Sequence, residues 1–228
     1  MKIDFRGVTF DEFIRLVFDQ PLGKEHHEWF YSIETDYTDE ELDSGEVDDI
    51  ALDPAVQVAH LTRLFAGPRE SLSHLTRAQI NAGFWFLACA ENDSFLQQLW
   101  NPTVPRADRL ACARHIPTLY SALFLPLELD ELTWMFGDFA VKDIYDFGST
   151  ERFQPTDVDG MRDVFLDVFD DVLHIPDPRA WHGALHGLGH LRHPRGAELI
   201  RRFLTSQPAL PSELRDYAER TLAGERIL

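Results

Sequence analysis

The sequence predicts an all-α protein, either an irregular helical bundle or an α-solenoid. Apolar residues recur at spacings of three and four along most of the chain, and no alternating pattern with hairpin turns stands out. The 228 residues allow one domain with a sizeable core. We expect it to comprise an N-terminal helix with an acidic segment (1–53), a helical body (54–175) and a C-terminal repeat region (176–228).

The first helix is predicted to begin after Thr9. Thr9 and Glu12 have capping-box spacing, and apolar residues follow at helical spacing until Pro21. An acidic segment follows: residues 25–53 contain 12 acidic residues and no Lys or Arg, two-thirds of the net charge of −18. Its aromatic residues, such as Trp29, indicate an irregular loop that packs on the body with an acidic outer surface.

The first helix of the body is predicted to start at Asp53 and Pro54, with Asp as N-cap and Pro at the first helical position. Gly67 predicts its end. Thr76 predicts the cap of the next helix, in which residues 84–87 are apolar on all sides, as expected of a central buried helix.

The second half of the body is less regular in pattern. Pro117 lies inside a long helical pattern over residues 110–124 and is expected to kink or split it. Residues 127–147 are ambiguous between helix and loop. Asp157 or Asp159 is expected to cap the helix that follows.

Three short helices are predicted in the C-terminal region. Asp177 and Pro178 predict the start of the first helix, which breaks at Pro194. Residues 196–204 supply the second helix, and the third opens at Pro211. Short helices separated by proline-bearing turns are typical of stacked helical hairpins.

The stretch DPRAWHGALHGLGHLRHP, followed by ELRDYAERTLAG, resembles HEAT-like helical repeats, in which an Asp-Pro turn precedes an Arg and a helix rich in Ala, Leu and Gly. Ala184 and Ala218, which each begin a four-residue Ala-to-Leu step, are 34 residues apart, near the usual repeat length. The resemblance covers about the last quarter of the chain. It implies HEAT-like hairpins at the C-terminus and a surface that binds macromolecules. With INAGFWFLACAENDSFLQQLW included, the chain is also similar to a group of uncharacterised bacterial helical proteins.

Composition argues against several classes of function. The net charge of −18 and the pI near 4.8 argue against nucleic-acid binding, which needs clustered positive charge. No apolar stretch approaches the length of a membrane span and no secretory signal is visible, so we expect a cytoplasmic protein without a membrane partner. Basic residues are 18 Arg and 3 Lys, which favours a bacterial, high-GC origin.

Motifs for catalysis are absent from the sequence. We find no phosphate-binding loop, no nucleophile-elbow serine and no dinucleotide fingerprint. Cys89 and Cys112 lack CxxC spacing and are expected to be buried thiols. A basic island is expected to be a plain surface patch, with docking of the acidic segment or anion binding as alternatives; its residues are Arg192, Arg195, Arg201 and Arg202.

Four histidines form what we call the histidine stripe: His182, His186, His190 and His193. At about 100° per residue they lie within roughly 80° of one another, opposite the apolar face of their helix. One interpretation is a polar exposed or groove-facing edge, beside which Gly183 lets a neighbouring helix approach. The alternatives are a site for a divalent transition metal, or a pH-responsive or partner-binding patch.

The metal interpretation needs a ligand from outside this helix. The stripe lacks the Glu that a zincin helix places after its first His, and no carboxylate lies nearby in the same helix. A carboxylate ligand must come from elsewhere, such as Asp138 or Asp143.

The favoured function is non-enzymatic binding of a basic protein, without a cofactor. A bacterial toxin-neutralising (immunity) protein that covers a cationic nuclease would have these properties. The alternative is a metal-binding protein or metal-dependent enzyme that uses the histidine stripe. Candidate partner-binding residues are the acidic and aromatic side chains of the acidic segment: Glu34, Asp36, Asp39, Glu40, Glu41, Asp43, Glu46, Asp48, Asp49, Trp29, Tyr31 and Tyr37.

Overall fold

The computed structural model describes residues 2–19, 49–51, 53–89, 95–141 and 155–224. These residues form two short strands, eleven α-helices, one 3₁₀-helix and one π-helical turn. In chain order the elements are β1 Lys2–Asp4, α1 Phe10–Val17, β2 Asp49–Ala51, α2 Pro54–Ala66, α3 Pro68–Leu72, α4 Arg77–Cys89, the 3₁₀-helix Phe95–Trp100, α5 Arg106–Ala113, α6 Ile116–Leu119, the π-turn Tyr120–Phe124, α7 Asp130–Val141, α8 Pro155–Leu173, α9 Pro178–Leu191, α10 Gly196–Ser206 and α11 Ser212–Leu222.

The predicted all-α class is confirmed, with one small addition. Strands β1 and β2 pair in parallel, with Ile3 opposite Ile50, and the amide of Phe5 extends the ladder to the carbonyl of Ala51. Each strand has three residues, which is too short to produce a readable alternation. Strand β1 is followed directly by Phe5, whose fully buried ring anchors the N-terminus in the core.

The predicted helix starts at Thr9 and Asp53 are confirmed. The hydroxyl of Thr9 accepts from the amide of Glu12, and the Glu12 carboxylate accepts from the amide of Thr9, so both halves of the capping box form. The Asp53 carboxylate accepts from the amides of Ala55 and Val56.

Pro117 splits its helical pattern as expected. Helix α5 ends at Ala113, and Pro117 lies in the first turn of α6. Amides in the first turn make no hydrogen bond within the helix, so the missing N–H of proline costs none there. The chain then widens into the π-turn. Glu128, between the π-turn and α7, has a positive φ. The guanidinium of Arg77 donates to the carbonyls of Leu127 and Glu128 and so satisfies the backbone there.

Two helices in the second half of the body were harder to predict. Within the ambiguous residues 127–147, helix α7 runs from Asp130 to Val141, and residues 142–147 lie outside the described part of the chain. Asp157 and Asp159 were predicted as N-caps, which is wrong, because both lie inside α8. Helix α8 already begins at Pro155, a residue whose fixed φ suits the first helical position.

The C-terminal helices have the predicted starts. The Asp177 carboxylate caps α9 by accepting from the amide of Arg179, and Pro178 is the first helical residue. Helix α9 packs against α7, α8 and α11, while α10 packs against α8 and α11. Helix α9 therefore contacts helices on both sides of it in sequence and lies at the centre of this half of the molecule.

Glycines allow α7 and α9 to lie very close together. A Cβ atom at Gly183 of α9 would lie 2.2 Å from the carbonyl oxygen of Thr133 in α7. On the facing helix, a Cβ at Gly137 would lie 3.2 Å from the carbonyl oxygen of Gly183. The prediction that glycines beside the histidine stripe admit a neighbouring helix is therefore confirmed.

No helix in the described ranges combines the length and apolar character needed to cross a membrane.

Gly183→Ala should strongly destabilise the protein, because its methyl group must displace the backbone of α7 rather than a movable side chain. We expect a loss of about 2–3 kcal/mol in the free energy of unfolding. The matched control is Gly196→Ala at the start of α10, where a Cβ atom meets nothing within 4 Å and the change should stay within about 1 kcal/mol. Urea denaturation measures both, and equal effects would contradict the proposed close packing.

Candidate metal centre

Three side chains that could bind a metal converge between α7 and α9. They are Asp138 from α7 and His186 and His190 from α9, and their donor atoms all lie within 4.8 Å of one another. Oδ1 of Asp138 is 3.0 Å from Nδ1 of His190, and Oδ2 is 4.0 Å from Nε2 of His186. The arrangement brings together two imidazole nitrogens and one carboxylate.

The helices fix this geometry by residue spacing and by close approach. His186 and His190 are four residues apart and so lie one above the other on the same face of α9, with ring centroids 4.7 Å apart. Asp138 follows Gly137 on α7, where a Cβ atom would lie only 3.2 Å from the carbonyl oxygen of Gly183 in α9. The short carboxylate can therefore reach both imidazoles.

Two polar atoms at this cluster are buried without a hydrogen-bond partner. They are Oδ1 of Asp138 and Nε2 of His186, in residues that are 4% and 2% exposed. The 3.0 Å contact between His190 and Oδ1 does not have the alignment of a hydrogen bond. A buried polar atom left unpaired costs about 1–3 kcal/mol, so two such atoms in one cluster call for an explanation.

Burial also keeps the imidazole of His186 uncharged at neutral pH. It lowers the pKa of His186 to about 4, with a smaller contribution from the neighbouring His190, and it lowers the pKa of His182. His186 is therefore a neutral imidazole at pH 7. Neutral imidazole is the form that binds metal ions.

Aromatic side chains surround the cluster. The indole of Trp134, one turn before Asp138 on α7, stacks on His182 with centroids 5.5 Å apart and lies 5.0 Å from the ring of His186. The hydroxyl of Tyr217 on α11 is 2.7 Å from Nδ1 of His186. One side of the cluster is thus enclosed, while the side chain of His190 keeps 30% of its surface exposed.

The histidine stripe does not form one wet edge, and that expectation is wrong for His186. The helical wheel places His186 opposite the apolar face, but α7 covers that side because glycine removes the side chains that would hold it away. The structure also divides the stripe. His182 stacks on Trp134, and Nε2 of His193 pairs with Oδ1 of Asp163 on α8 at 3.0 Å, so neither belongs to the cluster.

Asp138 was one of two carboxylates suggested to complete a metal site, and the structure places it beside His186 and His190. Asp143, the other one, lies outside the described residues. Most of the acidic segment also lies outside them, so the structure does not locate the partner-binding candidates. Of those candidates, only the backbone of Asp49 is described, in β2.

The basic island makes local ion pairs on the surface. Arg195 pairs with Asp163 at 2.8 Å and Arg202 pairs with Asp170 at 2.5 Å, both on α8. Arg192 is the left-handed C-cap of α9. Two arginines of the patch thus tie α8 to α10, one at the start of α10 and one inside it, as surface ion pairs can.

Cys112 is buried as predicted, and burial raises the pKa of its thiol to about 12. A thiol with so high a pKa stays protonated at neutral pH and is a poor nucleophile and metal ligand. The side chain of Cys89 is outside the described set.

Two residues of this region were not foreseen from the sequence. Tyr217 is an apolar-face residue of α11 by its spacing, and Trp134 lies in the ambiguous stretch. Their contacts with the stripe depend on how α7, α9 and α11 pack, and no local pattern encodes that packing. The excess of histidine on α9 was the one available signal.

No family model matches the chain, and no curated protein or solved structure is similar enough to it to be matched.

The metal-free protein should lose stability as the pH falls from about 6.5 to 4, because His186 titrates near 6.5 when unfolded and near 4 when folded. Between these values the unfolded chain binds more protons, which costs about 3 kcal/mol in total. Urea denaturation in a chelator at several pH values measures this loss. A His186→Gln variant should show a flatter pH dependence, and identical slopes for the two proteins would contradict the assignment.

Proposed function

We propose that this protein binds one divalent transition-metal ion between α7 and α9, through Asp138, His186 and His190. The observation that carries the proposal is the pair of buried, unpartnered atoms, Oδ1 of Asp138 and Nε2 of His186, at the cluster of three donors. A bound cation would satisfy both atoms at once.

The separations between the donors support a single ion. Donors bound tetrahedrally at about 2.1 Å from an ion lie about 3.4 Å from one another. The measured separations, 3.0 Å from Oδ1 of Asp138 to His190 and 4.0 Å from its Oδ2 to His186, lie on either side of that value.

The donor types narrow the choice of ion. Two imidazoles with one carboxylate suit Zn²⁺, Fe²⁺, Co²⁺ or Ni²⁺, whereas Mg²⁺ and Ca²⁺ prefer oxygen donors alone. Three protein ligands leave at least one coordination position for water or another small ligand. The exposed edge of His190 is where such a ligand would enter.

Zn²⁺ should bind to the tag-free, chelator-treated protein with a stoichiometry of one, measured by titration calorimetry and by elemental analysis after dialysis. Asp138→Asn removes the carboxylate charge and His190→Gln removes an imidazole, and each should weaken binding about 100-fold or more, a loss of roughly 3 kcal/mol. Co²⁺ gives an independent readout through its absorption spectrum in the visible.

His193→Gln is the matched control for these variants, since it removes an imidazole from the same stripe that pairs instead with Asp163. Its affinity for Zn²⁺ should equal that of the unmodified protein. Less than one Zn²⁺ bound per chain, with the same amount bound by the Asp138→Asn variant, would contradict the proposal.

The acidic segment supports a second proposal, that the protein also binds a basic protein partner. Its support is the sequence itself, with 12 acidic residues and no basic residue between positions 25 and 53. HEAT-like hairpins at the C-terminus, if α9 to α11 form them, would belong to the same proposal, because such repeats bind macromolecules. Neutralising a cationic toxin, as a bacterial immunity protein does, is one function that depends on binding a basic partner.

Binding to a basic partner should weaken as salt is raised, since steering by exposed charge is screened. Pull-downs from the native host at low and moderate salt test this. A variant with the nine acidic candidates from Glu34 to Asp49 changed to their amides is the control and should recover less partner. Recovery of no basic protein at either salt concentration would count against the proposal.

A further inference from the structure

Tyr217 connects the metal centre to the C-terminal helix α11. Its hydroxyl oxygen lies 2.7 Å from Nδ1 of His186, on the side of the ring opposite the nitrogen that faces Asp138. Its ring also contacts His182 edge-on, with centroids 4.6 Å apart. Two residues of the histidine stripe are thus held by one side chain of α11.

The hydrogen bond between Tyr217 and His186 can form in either direction, and a metal ion would select one of them. An ion bound at Nε2 uses the lone pair of that nitrogen, so the ring proton must be on Nδ1. His186 is 2% exposed, and a buried N–H needs an acceptor. The Tyr217 oxygen at 2.7 Å is in place to accept it.

We infer that Tyr217 is a positioning residue for the metal ion: its oxygen accepts a hydrogen bond from Nδ1–H of His186 and so directs the Nε2 lone pair at the site. The inference rests on the proposed metal site. Groups of this kind that orient a metal-binding histidine typically account for a 10- to 100-fold difference in affinity.

The same bond should make the docking of α11 depend on metal. Helix α11 buries Ala218 fully, while Leu214, Tyr217 and Leu222 are half-buried, so its apolar contact with the body is modest. If the docking of α11 raises the affinity of the site for the ion, then binding of the ion must raise the equilibrium constant for docking of α11 by the same factor, because the coupling is reciprocal.

The test compares the unmodified protein with Tyr217→Phe, which keeps the ring against His182 and removes only the hydroxyl. Zn²⁺ affinity should fall about 10- to 100-fold. In the Zn²⁺-loaded protein, NMR should show a slowly exchanging Nδ1–H of His186 that is lost or shifted in the variant. The matched control is Thr221→Val on the same helix, whose hydroxyl donates only to the carbonyl of Tyr217, and it should bind Zn²⁺ normally.

Hydrogen exchange gives a readout that needs no variant. On addition of Zn²⁺ to the unmodified protein, exchange in residues 212–222 should slow relative to α1, which is remote in the chain. This result decides the matter even if Tyr217→Phe does not fold. Unchanged Zn²⁺ affinity in Tyr217→Phe, or unchanged exchange in α11, would overturn the inference while leaving the metal site intact. Failure of the unmodified protein to bind Zn²⁺ would instead overturn the proposed function.

Discussion

The close crossing of α7 and α9 is the constraint on which the rest of this region depends. A single added carbon at Gly183 would collide with the backbone of α7, and Gly137 lies opposite on the facing helix. Because the helices approach so closely, a side chain as short as Asp138 reaches imidazoles on the neighbouring helix. The same approach removes His186 from water and lowers its pKa. One packing feature thus determines the position of the candidate ligands and the burial and protonation of His186.

Much of the helical framework could be predicted from the sequence, because local chemistry determines where helices start and stop. The capping box at Thr9, the Asp-Pro starts at Asp53 and Asp177 and the break at Pro117 each act within a few residues. The start of α8 was predicted wrongly because Asp157 and Asp159 were both candidate caps, whereas the helix begins at Pro155, which precedes them.

The candidate site was only half predictable. The spacing of His186 and His190 identifies a pair on one helical face, and the need for an outside carboxylate also follows from the sequence. Which histidines would be buried does not, because a helical wheel shows the faces of an isolated helix and not what covers them. One interpretation of the histidine face of α9 was an exposed or groove-facing edge, yet α7 buries His186 on that face. Tyr217 and Trp134 could not be foreseen for the same reason, since their role arises from contacts across three helices.

The donors of the candidate site come from distant parts of the chain. His186 and His190 are one helical turn apart, but Asp138 precedes His186 by 48 residues, with all of α8 in between. In the unfolded chain only the two histidines can lie near one another. Bringing Asp138 to them requires closing a long loop, which costs conformational entropy. The three side chains therefore come together only in the folded protein. A bound cation would link α7 to α9 and stabilise the folded state relative to the unfolded state.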